Sequence, residues 1–339
     1  MKKKVLVIAL SLAMVFAFTA CGGGSDSGDS SAEKQVWKVS AMGSETNPVT
    51  LGWYEFEKLI EEKLPNVDVQ VFENGQLGTS TDDCIGGLQN GTIQFSDLST
   101  GNVTEFSNAY TVLDQPFLFN SKEEARAAIT SEAGDLMNEK FLSDANVMNL
   151  GFWDFGFRNL TNSKREVASK ADLNGLKIRT LTSDVYVNMI AAMGASPTAM
   201  AYSEVFTGLQ QGTIDGEENP LATIVDAGFY EVNPYISLDG HIYAWLGFFC
   251  SADWFNSLDA DTQAVVKECA AAACEAEIGF NDDAEEAAMK TLEDAGCTIT
   301  EVTDEAKAEW REACQSLYDT CKESVGEDYY NSVMGALGK

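Results

Sequence analysis

Positive charge is scarce in this chain of 339 residues, which carries 22 Lys and Arg against 53 Asp and Glu and has a formal net charge of −31. Nucleic acids and anionic lipid surfaces are bound by clustered basic side chains that neutralise phosphates, so this composition argues against both as partners. A small anion is not excluded, because salt screens surface charges beyond about 8 Å and one arginine in a dry cleft can hold an anion locally. Any anion site is therefore expected at individual arginines.

The residue patterns of metal, nucleotide and catalytic sites are missing as well. The chain has one histidine and no C-x-x-C pair, so we expect no zinc-type metal site. No Walker loop and no G-x-G-x-x-G after a strand occurs, which argues against a nucleotide cofactor. The histidine lacks the pattern of a hydrolase, and no spacing supports a glycosidase pair among the many carboxylates. We therefore expect no enzyme, no catalytic residues and no cofactor.

The N-terminus reads as an export signal. The stretch MKKKVLVIALSLAMVFAFTAC combines three lysines, an uncharged apolar run and small residues before Cys21, which is typical of a signal peptide over 1–20. Phe18 to Cys21 resembles the lipobox of bacterial lipoproteins, which predicts a lipidated Cys21 followed by a flexible Gly/Ser tether over 21–34. An ordinary secreted protein is the alternative. We expect an extracytoplasmic protein that is anchored to the cytoplasmic membrane by the lipid on Cys21.

An internal similarity suggests two α/β lobes. Residues 87–93 and 208–214 share the frame G-L-Q-x-G-T-I. This frame is typical of a helix end, a glycine in the left-handed conformation and the start of a strand. One copy in each half suggests two lobes of similar plan, and two unrelated helix-to-strand turns are the alternative.

Helical patterns complete the fold prediction. Residues 121–142 read as helix, and residues 259–295, rich in Ala and Glu and without Pro, predict a helix of more than 25 residues that is long enough to span both lobes. No later apolar run has the length of a membrane span. The seven cysteines after Cys21 are expected to be mostly free and buried.

One arginine stands out within DLNGLKIR at 172–179. Arg179 and Lys177 alternate with Leu176 and Ile178, as in a short strand. A guanidinium presents two parallel N–H donors that fit a carboxylate, an arrangement that lysine does not reproduce. Arg179 is therefore a candidate anion ligand, and a structural ion pair is its alternative role.

From about residue 36 to about residue 325 the chain resembles the solute-binding proteins of tripartite ATP-independent periplasmic (TRAP) transporters, of the C4-dicarboxylate-binding type. The segments that carry the resemblance are NGQLG (74–78), LDQPFLF (113–119), WDFGFRNLTNS (153–163), DLNGLKIR (172–179), MGASPTAMAYSEVFTGLQQGTIDGEENP (193–220) and YEVNPYISLDGHIY (230–243). The resemblance implies an α/β, two-lobe architecture of the periplasmic-binding-protein kind, with a ligand cleft between the lobes and a long helix spanning both.

The resemblance also implies how the chain divides between the lobes. We expect residues 35–155 plus 245–285 in lobe I and residues 156–244 plus 305–339 in lobe II. The helix at 259–295 would cross both.

The site residues follow from the same resemblance. Arg179 matches the arginine that grips the ligand carboxylate, and Arg158 matches a second arginine that contacts the acid or orients the first. Asn219 matches an asparagine that supplies an amide to the carboxylate, and Tyr202 an aromatic residue that lies against the ligand.

Four further candidates complete the set: Ser99, Thr100, Asn47 and Thr182. Ser99 and Thr100 are short hydroxyl residues where some members carry an acid or an amide, and Asn47 occupies a slot where many have histidine. Thr182 precedes a predicted helix for which it or Ser183 is a plausible N-cap.

The implied function is a receptor that captures a small organic acid and hands it to a membrane permease of one small and one large subunit. The alternative is a sensor subunit that presents the acid to a membrane kinase or chemoreceptor. C4-dicarboxylates, sugar acids such as uronates and 2-oxo acids all suit the carboxylate site. The hydroxyl and amide groups of Asn47, Ser99 and Thr100 favour a hydroxylated monoacid over a dicarboxylate.

Overall fold

The computed structural model describes residues 34–339, so the predicted signal peptide and Cys21 lie outside the described residues, as does the tether up to residue 33. The strands in this range are β1 Gln35–Ser40, β2 Val67–Phe72, β3 Phe95–Ser99, β4 Val147–Asn162, β5 Lys177–Thr180, β6 Ser196–Ala199, β7 Gly216–Asn219, β8 Tyr235–Ser251 and β9 Thr298–Glu301. The α-helices are α1 Pro48–Lys63, α2 Thr81–Asn90, α3 Lys122–Ile129, α4 Glu132–Ala145, α5 Asp184–Met193, α6 Val205–Gln211, α7 Leu221–Asp226, α8 Ala252–Ser257, α9 Ala260–Asp294, α10 Asp304–Ala313, α11 Gln315–Val325 and α12 Glu327–Ala336.

One sheet joins the two halves of the molecule. Its strand order is β2-β1-β3-β8-β4-β7-β5-β6, and β9 pairs with β8. The strands at each end, β1 with β2 and β5 with β6, are parallel pairs connected through helices, as βαβ units require. The long strands β4 and β8 run antiparallel through the middle and connect both ends. The mixed α/β, two-lobed architecture expected from the sequence is confirmed.

The repeated frame forms the same local structure twice. The helix α2 ends at Asn90, Gly91 has φ 75°, and β3 follows; α6 ends at Gln211, Gly212 has φ 70°, and β7 follows. Glycine suits both positions because a Cβ disfavours the left-handed conformation. The turn prediction is confirmed in both halves, and each turn leads into a strand that reaches the cavity described below.

The long helix α9 belongs to two hydrophobic cores. Its first half packs Val266, Cys269 and Ala273 against the core formed with α1 and β1. Its second half packs Ala288 and Leu292 into a separate core with α6 and α7. A helix of 35 residues is about 50 Å long, which explains how one element contributes to both.

One local prediction was wrong, and a second was confirmed in position. The single helix expected over 121–142 is divided, because Thr130 ends α3 and the Ser131 hydroxyl caps α4 by accepting a hydrogen bond from the Ala133 amide. Ser183 occupies the N-cap position of α5 as predicted, although its hydroxyl makes no capping hydrogen bond.

Two further properties concern the cysteines and the lengths of the helices. Cysteines in the described range are free thiols, and most of them are buried. No helix between residues 34 and 339 has the length and apolar character needed to cross a membrane.

Candidate functional site

A cavity of about 330 Å³ lies between the two halves of the molecule. We call its two sides the acidic wall and the arginine wall. The acidic wall consists of Met42, Gly43, Asn47, Thr79, Ser80, Thr81, Asp82, Asp97, Leu98, Ser99, Asn102 and Glu105. The arginine wall consists of Arg158, Arg179, Leu181, Thr182, Met200, Ala201, Tyr202, Asn219 and Thr223, and Phe155 and Leu246 of the long strands complete the lining. The volume suits a small ligand.

Arg179 is a buried cation without an anionic partner. It lies on β5, is 2% exposed, and donates from Nε and Nη2 to the carbonyl of Met200 at 3.0 and 2.8 Å. Among the described residues no carboxylate lies within salt-bridge distance of it. Burial lowers the pKa of Arg179 to about 10, so the side chain is still charged at neutral pH. A buried, unpaired charge is costly, and a ligand carboxylate would compensate for it.

Arg158 already has a carboxylate partner. Its Nε lies 2.5 Å and its Nη2 3.0 Å from the two carboxylate oxygens of Glu218, and its guanidinium lies 5.5 Å from the centre of the Tyr186 ring. Both members of the ion pair are buried. Arg158 lines the cavity, but its charge is neutralised from inside the protein.

The ion pair extends to His241. The ring nitrogens lie 2.7 Å from Asp239 Oδ2 and 3.0 Å from Glu218 Oε2. Burial opposes protonation of His241, but these two carboxylates outweigh it and raise its pKa to about 9. Burial likewise opposes ionisation of Glu218, but Arg158 and His241 outweigh it and lower its pKa to about 2. The cations Arg158 and His241 thus pair with these two carboxylates, whereas Arg179 has no carboxylate within salt-bridge distance in the described structure.

The remaining candidates on the arginine wall are polar or aromatic. Asn219 donates from Nδ2 to Glu217 Oε2 at 2.6 Å. The ring of Tyr202 lies edge-on to Phe229, with 6.0 Å between ring centres. Thr182 is exposed at the cavity in the turn before α5. Their positions are compatible with ligand contact.

The acidic wall carries two of the three other candidates, Asn47 and Ser99. Asn47 caps α1 by accepting from the Val49 amide at 3.0 Å and donates to Asp226 Oδ2 at 3.3 Å. The hydroxyl of Ser99 is buried without a hydrogen-bond partner in the described structure. Thr100 does not reach the cavity, because its hydroxyl turns to the carbonyl of Trp245 at 3.4 Å.

Asp97, which is not among the residues predicted from the sequence, also lines the cavity. Asp97 is 1% exposed, and its oxygens accept from Trp53 Nε1 at 2.8 Å and from the Met42 amide at 3.3 Å. Burial raises the pKa of Asp97 to about 7. The internal similarity contains the signal, since extending both copies of the frame aligns Asp97 with Glu218.

Comparisons with known proteins agree on one family. Residues 39–324 match the family model described as bacterial extracellular solute-binding protein, family 7. A solute-binding protein of Roseobacter denitrificans is 34% identical over 272 residues, which cover 80% of this chain and 83% of that protein.

Solved structures give the same result. The sugar acid binding protein of Advenella mimigardefordensis in complex with galactonate has a TM-score of 0.86 and 27% identity, over 90% of this chain and 98% of that one. A TRAP periplasmic solute-binding protein from a Sulfitobacter species with bound β-D-galacturonate has a TM-score of 0.85 and 26% identity, over 90% of this chain and all of that one.

Proposed function

Because the chain belongs to bacterial extracellular solute-binding protein family 7, whose members include the receptors of TRAP transporters, we propose that it captures a sugar acid through Arg179. One observation carries the proposal: Arg179 is a buried guanidinium in a cavity and has no carboxylate partner among residues 34–339. A ligand carboxylate would supply the missing charge and accept the N–H groups that Met200 does not use.

The rest of the cavity supports a hydroxylated acid. Thr79, Ser80 and Ser99 present hydroxyls on the acidic wall, and Asn219 and Tyr202 present polar groups beside the arginines. Groups of this kind bind sugar hydroxyls, which both donate and accept hydrogen bonds. The two similar structures hold galactonate and galacturonate, each a hydroxylated monocarboxylate.

Delivery to a membrane permease follows from membership of the family, in which these receptors work with membrane subunits. We propose in addition that lipidation of Cys21 anchors the receptor, with residues 21–34 as the tether. Cys21→Ser should then move the protein from the membrane fraction to the soluble fraction without changing ligand affinity. Unaltered membrane retention would contradict the anchor.

We also propose that the lobes divide as 35–155 plus 245–285 and 156–244 plus 305–339, and that they close on the ligand. Closure would bring the two walls together around the acid. Small-angle scattering should then give a smaller radius of gyration with the ligand than without it. Equal radii at saturating ligand would argue for a rigid binder.

The decisive test is a ligand panel with matched arginine variants. Calorimetric titration with aldonates, uronates, C4-dicarboxylates and 2-oxo acids should identify a sugar acid as the tightest ligand. Arg179→Ala and Arg179→Lys should both lose about 2–5 kcal/mol of binding free energy, because a point charge does not replace the planar fork.

The melting temperature of the empty protein separates binding from folding. It should change little in both variants, since Arg179 pairs with no carboxylate in the described structure. Near-normal affinity in Arg179→Lys would contradict the bidentate contact. A collapse of the empty Arg179→Ala variant would mean that the arginine is structural.

A further inference from the structure

The cavity has charges of opposite sign on its two walls. Asp82, Asp97 and Glu105 line the acidic wall, and none of the residues from 42 to 105 that line it is basic. In the described part of the chain, none of these three carboxylates forms a salt bridge. A ligand that spans the cavity from Arg179 to the acidic wall would meet these carboxylates at its other end.

Asp97 differs from its two neighbours by its burial. Asp82 and Glu105 are exposed, so solvent screens their charges, whereas Asp97 is 1% exposed. The side chain of Asp97 is fixed in place by the indole N–H of Trp53 and the amide of Met42. A carboxylate has about four acceptor positions, and two are used here. In the described structure the remaining positions accept from no other side chain.

We propose that Asp97 is a specificity-determining residue that accepts a hydroxyl at the far end of the ligand and rejects a second carboxylate there. The inference rests on the proposed function, because Arg179 must fix one end of the ligand for Asp97 to meet the other. Two carboxylates in a poorly solvated cavity repel each other, and a site that uses a like charge in this way discriminates by penalising the wrong ligand. The ligand class is thereby narrowed to monocarboxylates with a neutral, hydroxylated far end.

The unpartnered hydroxyl of Ser99 supports this assignment. It lies on the same strand, β3, two residues from Asp97, and also lines the cavity. Its oxygen is buried without a partner in the described structure, although buried hydroxyls are nearly always hydrogen-bonded. A ligand hydroxyl beside Asp97 would also satisfy Ser99.

The test uses a pair of acids that differ at one carbon. Galactonate ends in CH₂OH at C6, and galactarate has a carboxylate there with the same configuration elsewhere. Calorimetric titration of the wild type near pH 8 should give about 10- to 100-fold tighter binding of galactonate, as expected for one added like-charge contact. Asp97→Asn should reduce this ratio by about tenfold or more. The charge-matched control Asp135→Asn, at an exposed carboxylate on α4 that does not line the cavity, should leave it within about threefold.

Equal ratios in Asp97→Asn and wild type would overturn the assignment, as would tighter binding of galactarate by the wild type. If Asp97→Asn does not fold, 6-amino-6-deoxygalactonate gives a second measurement on the wild type. It should bind at least as tightly as galactonate, and weaker binding than galactarate would refute the inference.

Failure of the proposed function has a different signature. If both acids still bind to Arg179→Ala, or if the wild type binds neither acid, the proposed function is wrong. The role of Asp97 is then refuted as well. A ratio that is insensitive to Asp97, with binding that still depends on Arg179, would refute only the inference.

Discussion

Glu218 and Asp97 occupy equivalent positions in the two copies of the repeated frame, each six residues after the left-handed glycine. Both are buried on strands that reach the same cavity. The pKa of Glu218 is lowered to about 2, and the pKa of Asp97 is raised to about 7. The two carboxylates are equally buried, but their pKa values are shifted in opposite directions. The groups that surround each carboxylate therefore determine its charge.

The partners differ in a way that matters for function. Glu218 faces two cations, Arg158 and His241, which favour its ionised form. Asp97 faces two neutral donors, the Trp53 indole and the Met42 amide, which do not offset its burial. In one copy of the frame the carboxylate, Glu218, therefore holds Arg158 in place. In the other copy the carboxylate, Asp97, has no cationic partner in the described structure and lines the cavity.

The largest effect is expected from Glu218→Gln. It would leave Arg158 and His241 buried without their shared anion, and breaking a buried pair in this way costs about 3–5 kcal/mol. Urea unfolding of the empty protein should show this loss. Glu217→Gln is the matched control, because Glu217 is also buried but is bonded to the neutral groups of Thr161 and Asn219. Equal losses in the two variants would remove the contrast between charged and neutral partners.

The pH dependence of stability separates the two carboxylates by sign. Asp97 has a folded pKa of about 7, above its ordinary value of 3.8, so the folded state binds more protons and stability falls as pH rises from about 4 to 7. Glu218 has a lowered pKa, so its contribution is present above about pH 4.5 and is lost as pH falls towards 2. The neighbours of Asp97 include Trp53, the Met42 amide and Cys84, a thiol whose pKa is raised by burial.

Asp97→Asn should therefore flatten the decline in stability between pH 5 and 7 by at most about 1.4 kcal/mol per pH unit, the contribution of one proton. Part of the decline should remain, since burial also raises the pKa values of Asp114, Glu217 and Glu285 to about 7. Unfolding free energies measured at several pH values test this, with Asp82→Asn as the exposed control. An unchanged slope in Asp97→Asn would show that Asp97 titrates normally.

Local structure was predictable from the sequence, and long-range pairing was not. The G-L-Q-x-G-T-I frame predicted both glycine turns because a helix end and a left-handed glycine are determined within a few residues. The partner of Arg158 is Glu218, which lies 60 residues away, and the donor to Asp97 is Trp53, 44 residues away. No local pattern encodes such a contact. Thr100 fails to reach the cavity for the same reason, since its hydroxyl bonds to Trp245 on a distant strand.

A third carboxylate, Asp226, connects the two halves, and the smallest effect is expected there. It ends α7 and accepts from Ser44 Oγ at 2.5 Å, Thr46 Oγ1 at 3.3 Å and Asn47 Nδ2 at 3.3 Å, all in the loop before α1. Unlike Asp97 and Glu218, it is only partly buried, so each hydrogen bond contributes little.

Removing these hydrogen bonds should weaken the contact between α7 and the loop before α1 when the ligand is bound. Asp226→Ala should lower ligand affinity by about 1 kcal/mol, or roughly fivefold, through faster dissociation. Stopped-flow measurement of the association and dissociation rates tests this, with Glu45→Ala as the control, because Glu45 lies in the same loop and makes no side-chain hydrogen bond in the described structure. A change confined to the association rate would mean that Asp226 steers the ligand rather than holding the cleft closed. A loss as large as that of Arg179→Ala would place Asp226 among the ligand-binding residues.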